Sequence, residues 1–243
     1  MENTRPGDVE MPFTEHLGEL RNRIIWSVMA WALCSVAAWF IAPYVIGALR
    51  GLIGKDTEMV FLRPTEAFMV YFKIALIGGL FLSLPIILYQ ITAFVIPGLE
   101  PAEKRWLVRL LPAALTLFVC GALFAYYALL PTTLGFFLNF QKYFQDENIK
   151  TMISVSEYVG FVMLLTIVCG LIFEMPIVIV ALALVGVVNS TMLRNGRRYA
   201  ILIIFIVAAV ATPTPDALTQ TVVAIPMILL YEISILIVRG LGR

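Results

Sequence analysis

The apolar stretches of this chain constrain its fold more than any other feature of the sequence. They recur at a length of about 20 residues, which is what an α-helix needs to cross a hydrocarbon slab of about 30 Å. The strict alternation of apolar and polar residues that is typical of membrane-spanning strands is absent. Because a backbone inside lipid must satisfy its own hydrogen bonds, the sequence predicts an all-α, polytopic membrane protein.

Six spans are predicted, separated by segments in which Gly, Pro, Asn and Asp end the helices. Their approximate ranges are 24–46, 69–96, 106–130, 158–185, 199–212 and 217–238. The fifth span would rise only about 21 Å, less than the slab requires. We expect the last two helices to be short and either to thin the bilayer or to be partly sheltered by protein; one re-entrant hairpin is the alternative.

Prolines fall inside or near the ends of four of these spans and predict bent helices. Each proline removes one backbone donor and frees a carbonyl a turn earlier, so a straight rod is disfavoured. The four residues are Pro85, Pro112, Pro176 and Pro226. The sequence therefore predicts a curved, proline-kinked bundle in a single transmembrane domain covering residues 1–243.

Charged residues make up 14% of the 243 residues, against about 25% in soluble domains. The net charge of +1 favours neither nucleic acid nor an acidic substrate. The distribution of lysine and arginine predicts that both termini are cytoplasmic, because 11 of the 17 basic residues fall on that side under the positive-inside rule. They are Arg5, Arg21, Arg23, Lys104, Arg105, Arg109, Arg194, Arg197, Arg198, Arg239 and Arg243.

The inventory of reactive residues argues against an enzyme. His16 is the only histidine and lies outside every span, so no serine or cysteine in a span has a histidine base. One histidine cannot build a three-nitrogen metal site. The segment GLIGK has only two residues between its glycines and is followed by an aspartate, so it is not a P-loop. We expect no catalytic residue, no metal and no cofactor.

The stretch PFTEHLGELRNR, residues 12–23, precedes the first span and admits two interpretations. At helical spacing it has an apolar face and an opposite face bearing Glu15 and Glu19. Arg23 stands four residues after Glu19, which predicts an intrahelical ion pair on an interfacial anchor. The alternative is that the acidic face binds a ligand.

A second acidic position on the same side of the membrane favours the ligand-binding alternative. In PGLEPAEKRW, residues 97–106, Pro101 suits the first turn of the third helix, so Glu103 falls in that turn, where the helix dipole favours an anion. Glu19 and Glu103 would both lie at headgroup depth on the cytoplasmic face. Two carboxylates there could bind guanidinium groups in bidentate geometry.

Glu174 lies near the middle of the fourth span and should face the bundle or a hydrated cavity, because a lipid-facing carboxylate is costly there. Gln90, near the cytoplasmic end of the second span, is a candidate partner in lining that polar groove. The other interpretation is a structural glutamate bonded to a neighbouring helix. A mid-span carboxyl with broken helices also suggests a proton-coupled secondary transporter of a small solute.

Ordered motifs over nearly the whole chain after residue 12 resemble the TatC family, the polytopic receptor subunits of the twin-arginine protein translocase. The motifs are FTEHLGELRNRI (13–24), RPTEAF (63–68), LSLPIILYQITAFVIPGLEPAEKR (82–105), GALFAYYALLP (121–131), SVSEYVGFVM (154–163), GLIFEMPIVI (170–179) and TPTPDALTQTVVAIPMILLYEIS (212–234).

The resemblance implies a binding function without covalent chemistry, in a prokaryotic inner membrane. In this family folded precursors present a twin-arginine signal peptide to two cytoplasmic glutamates, which correspond here to Glu19 and Glu103. Arg21 and Phe94 also fall on family positions that shape that site.

The resemblance further implies a glove-like, concave wall whose hollow is faced by Glu174, with Gln90 as a companion. Single-span subunits of the TatA and TatB type are expected to dock at the last two helices, near Thr212, Asp216 and Gln220. The family works as a complex that contains several copies of the chain and is driven by the proton-motive force.

Overall fold

The computed structural model describes residues 13–53, 58–96, 101–141, 152–212 and 216–242; within these ranges it leaves out the side chains of residues 13, 14, 101–109 and 141. The helices are α1 (Phe13–Ile53), α2 (Glu66–Val95), α3 (Pro101–Phe124), α4 (Leu130–Gln141), α5 (Val155–Phe173), α6 (Met175–Leu184), α7 (Ser190–Asn195), α8 (Arg197–Ala211) and α9 (Ala217–Gly240).

Five helical segments of the described chain are long and apolar enough to cross a membrane, which confirms the polytopic α-helical class. They are Glu15–Ile53, Glu66–Val95, Leu110–Phe140, Val155–Leu184 and Ala217–Gly240. The predicted fifth span corresponds to α8, which has 15 residues and rises about 22 Å.

The structure corrects the expectation that the last two helices are both short. Only α8 is short, whereas α9 has 24 residues and rises about 36 Å. Pro226 lies inside α9 without ending it. The helix also continues past the predicted end at residue 238, through Arg239 to Gly240.

The third predicted span is also longer than the sequence indicated. Helical structure continues from α3 through a π turn at Ala125–Leu129 into α4, well past Pro131. In the π turn the N–H of Leu130 bonds to the carbonyl of Ala125, five residues back. Because this turn is wider than an α-turn, it accommodates a proline that lacks an N–H and would otherwise end the helix.

Helices α1 and α2 pack against each other through small residues. A Cβ atom built on Gly79 would lie 2.5 Å from the Cα of Ser35, and one built on Gly78 would lie 3.2 Å from the Cβ of Ala38. The indole N–H of Trp31 donates to the carbonyl of Leu76 at 2.8 Å. Small residues at such crossings let two backbones approach closely, which is how membrane helices associate without a hydrophobic driving force.

Helices α3 and α5 cross in the same way. A Cβ on Gly121 would lie 2.5 Å from the carbonyl oxygen of Cys169, and one on Gly170 would lie 2.6 Å from the ring of Phe118. Phe118 is among the largest fully buried side chains of the described residues. Two glycines therefore fix the position of α5, which carries the Glu174 region, against α3.

A short parallel sheet, which the sequence did not predict, joins the two loop segments at the predicted extracytoplasmic end. Strand β1 (Glu58–Val60) pairs with β2 (Met152–Ser154), with Met59 opposite Ile153. Beside it the hydroxyl of Tyr158 donates to the carbonyl of Leu49 at 2.8 Å. These contacts hold the end of α1 and the start of α5 together.

Candidate functional site

The polar site forms where the first turns of α1 meet the last turns of α2. The predicted ion pair is confirmed: Nη2 of Arg23 lies 2.6 Å from Oε1 of Glu19, and Nε donates to the same oxygen at 3.0 Å. Nη1 of Arg23 donates to Oε1 of Gln90 on α2 at 3.0 Å. One guanidinium group therefore connects the acidic face of α1 to α2.

A second contact joins the same two helices near Glu19. The imidazole of His16 stacks on the ring of Phe94, with ring centroids 4.4 Å apart and planes 14° apart. The sequence suggested for His16 only a catalytic or metal-binding role, which was excluded, and it did not predict this contact. No local sequence signal could have found it, because Phe94 belongs to a different helix and stands far along the chain from His16.

The structure places the other predicted members of this site near the same end of the bundle, as far as it describes them. Arg21 is exposed on α1. Glu103 lies in the first turn of α3, which begins six residues after α2 ends, and its side chain is outside the described part of the chain.

Glu174 lies at a break in the predicted fourth span. Helix α5 ends at Phe173, α6 begins at Met175, and Pro176 stands in the first turn of α6. The N–H of Glu174 bonds to the carbonyl of Leu171, three residues back, which is a tightened turn. Oε1 of Glu174 is buried and has no hydrogen-bond partner among the described residues.

Gln90 and Glu174 were expected to line one polar groove. The contact that the structure describes for Gln90 is with Arg23, in the cluster at the joined ends of α1 and α2. Gln90 therefore belongs structurally with Glu19, and a shared groove with Glu174 stays a prediction.

The three residues predicted for partner docking lie in the α8–α9 hairpin, and Gln220 bonds from one helix to the other. The amide of Gln220 donates to the carbonyl of Phe205 on α8 at 2.9 Å. Asp216 caps α9 by accepting from the N–H of Thr219 at 2.7 Å. Thr212, at the end of α8, is buried and donates its hydroxyl to the carbonyl of Ala208. Their described contacts are thus internal to the α8–α9 hairpin.

At the other end of the hairpin an ion pair joins the same two helices. Nη2 of Arg197 lies 2.7 Å from Oε2 of Glu232. Next to it, the hydroxyl of Tyr231 donates to the carbonyl of Leu193 on α7 at 2.8 Å.

Within the described residues, no group of three His, Cys, Asp or Glu side chains could hold a metal ion.

These features define a class: a multi-pass α-helical membrane protein with a carboxylate–guanidinium cluster where two of its spans meet. The family model for Sec-independent protein translocase protein (TatC) matches residues 15–226. The chain therefore belongs to the TatC family, whose members are subunits of the twin-arginine translocase.

Curated relatives and solved structures agree with this assignment. The TatC protein of Carboxydothermus hydrogenoformans is 38% identical over 233 residues, covering 96% of this chain and 94% of the relative. The TatC protein of Aquifex aeolicus is 41% identical over 228 residues, covering 93% of each. A crystal structure of the twin-arginine translocase receptor TatC in the detergent DDM is 40% identical, with a TM-score of 0.80 over 92% of this chain and 99% of that one.

Proposed function

We propose that this chain is the receptor that binds twin-arginine signal peptides and the scaffold on which the export complex assembles. One observation carries the proposal. Glu19 is a partly exposed carboxylate that already binds a guanidinium group, that of Arg23, where the ends of α1 and α2 meet. Two solved structures of similar fold are described as the twin-arginine translocase receptor TatC. Membership of this family favours protein export over solute transport.

The proposed binding step needs no covalent chemistry and no cofactor. Two arginines of a signal peptide would each require a planar, fork-shaped acceptor at a hydrated interface, and carboxylates supply that geometry. Glu19 provides one acceptor and Glu103, in the first turn of α3, provides the second. Arg21 and Phe94 would shape the surrounding surface. With both termini in the cytoplasm, as the distribution of basic residues predicts, this site would lie on the side from which precursors arrive.

Replacing both carboxylates should weaken signal-peptide binding by about a hundredfold or more. Each charge-assisted hydrogen bond contributes roughly 1.5–3 kcal/mol, and 1.4 kcal/mol is a factor of ten in affinity. The measurement is the Kd of a fluorescent twin-arginine peptide for the purified protein in lipid nanodiscs, compared between wild type and the Glu19→Ala, Glu103→Ala variant. Glu157→Ala, an exposed carboxylate in the first turn of α5, is the matched control. An unchanged Kd in the double variant would show that these two glutamates are not the acceptors.

We further propose that single-span subunits of the TatA and TatB type dock on the α8–α9 hairpin, and that several copies of the chain join in the working complex. Thr212, Asp216 and Gln220 would act by holding the hairpin in shape, since their described bonds are within it. The partner would contact neighbouring exposed side chains, of which Val210 is 82% exposed. Export would draw on the proton-motive force, in a prokaryotic inner membrane.

Cross-linking should distinguish the exposed residues of the hairpin, which would contact a partner, from the buried residues that hold the hairpin in shape. In a variant lacking Cys34, Cys120 and Cys169, a cysteine at Val210 should form a strong cross-link to a single-span partner. A cysteine at Thr212, which is only 4% exposed, should form a weak one or none. Leu33, exposed on α1, is the control for non-specific contact within the membrane. Cross-links that are stronger at Leu33 than at Val210 would move the docking surface to α1.

A further inference from the structure

Glu19 lies between two contacts that tie α1 to α2. His16, three residues before it, stacks on Phe94, and Arg23, four residues after it, bonds to Gln90. We propose that His16 and Gln90 are positioning residues that hold Glu19 ready to receive an arginine of the ligand. This inference rests on the proposed function. It adds His16 and Gln90 to the binding site as residues that act through Glu19 and do not themselves touch the ligand.

The start of α1 requires such ties because of its length. The helix has 41 residues and rises about 60 Å, more than the roughly 40–45 Å of a bilayer with its headgroups. The first turn of a helix lacks internal partners for its N–H groups and tends to fray. Contacts with α2 on both sides of Glu19, which stands one turn further along, keep the start of α1 helical and keep the carboxylate in one place, so less order must be gained when the ligand binds.

Among the described residues, the pairing of Glu19 engages only one of its two carboxylate oxygens. Both Nε and Nη2 of Arg23 donate to Oε1, and within the described residues no donor reaches Oε2. An arginine paired with a carboxylate usually binds both oxygens, with two parallel hydrogen bonds. Here the bond from Nη1 to Gln90 holds the guanidinium to one side. Gln90 therefore prevents Arg23 from covering the oxygen that the ligand would use.

The stack of His16 on Phe94 depends on shape and flatness rather than on the imidazole nitrogens. The rings are nearly parallel at 4.4 Å, a geometry in which one flat ring can replace another. A phenylalanine at position 16 should therefore preserve the tie, whereas an alanine should remove it. This difference separates positioning by stacking from a role in hydrogen bonding or proton transfer.

The test measures the Kd of a twin-arginine peptide for the full chain in nanodiscs. We expect His16→Ala and Gln90→Leu each to bind about fivefold more weakly, through lost preorganisation. His16→Phe should stay within about twofold of wild type, because the stack persists. Asn22→Ala, exposed on the same stretch of α1, is the control and should bind normally.

The deciding comparison repeats His16→Ala and Gln90→Leu in a Glu19→Ala background. If the two residues act through Glu19, neither should weaken binding further once Glu19 is gone, because interacting residues are non-additive. An equal additional loss in that background would overturn the positioning role while leaving Glu19 as an acceptor. Unchanged binding in Glu19→Ala alone would instead refute the acceptor assignment of the proposed function, and the positioning role with it.

Discussion

Replacing Gly79 with valine should prevent α1 and α2 from packing and leave little folded protein. A Cβ at this position would lie 2.5 Å from the Cα and 2.6 Å from the backbone nitrogen of Ser35. These are backbone atoms of the neighbouring helix, so no side-chain rotation relieves the overlap, and α1 must move away. That displacement would also lengthen the bond from Trp31 to the carbonyl of Leu76.

The expected loss of stability for Gly79→Val is about 3 kcal/mol or more, at the upper end of overpacking effects. The measurement is the yield and thermal unfolding midpoint of the purified protein in detergent. Gly47→Val is the matched control, because Gly47 is in α1 and has no neighbouring atom within 4 Å of an added Cβ. A Gly79→Val protein that unfolds at the wild-type temperature would show that the two helices do not approach this closely.

Replacing Glu174 with leucine should raise stability and reduce export together. Oε1 of Glu174 is buried without a partner among the described residues, and such a group costs roughly 1–3 kcal/mol. The side chain makes no capping bond to α6, so the substitution removes no described hydrogen bond of that side chain. Because an unpaired buried carboxyl at a helix break is destabilising, we infer that it serves export. We expect export by the variant to fall at least tenfold, which is about 1.4 kcal/mol in an activation barrier.

Two measurements on the same Glu174→Leu protein check this prediction. The thermal unfolding midpoint should rise by several degrees, and signal-dependent export of a folded reporter should fall. Glu157→Gln, at the exposed start of the same helix, should change both only slightly. A lower unfolding midpoint would mean that the carboxyl has a stabilising partner, and normal export would assign Glu174 a structural role only.

The predicted spans and the helices agree best where the signal was the length of an apolar run. The predicted ranges 69–96 and 217–238 fall within about three residues of α2 and α9 at each end. Agreement is poorer at the end of the third span. The predicted span ended at residue 130, just before Pro131, whereas the helix continues past that proline after a π turn, because the effect of a proline depends on whether the preceding turn can widen.

In the candidate site, the contact within one helix was predictable from the sequence, whereas the contacts between helices were not. The Glu19–Arg23 pair followed from a spacing of four residues on one helix, since such neighbours meet whatever the tertiary structure is. The bond from Arg23 to Gln90 crosses 67 residues of sequence, and the stack of His16 on Phe94 crosses a similar separation. No local pattern encodes either contact.

The sequence by itself determined that the chain is a helical membrane protein and that acidic residues stand at the start of α1 and α3, because hydropathy, helical period and turn chemistry are local properties. The tertiary structure alone decided which side chains meet. The close approach of α1 and α2 at Ser35 and Gly79 accompanies the contact of Gln90 with Arg23. Small residues at this crossing fix the register of the two helices, because they let the backbones approach closely, and that register decides which side chain of α2 meets the Glu19–Arg23 pair.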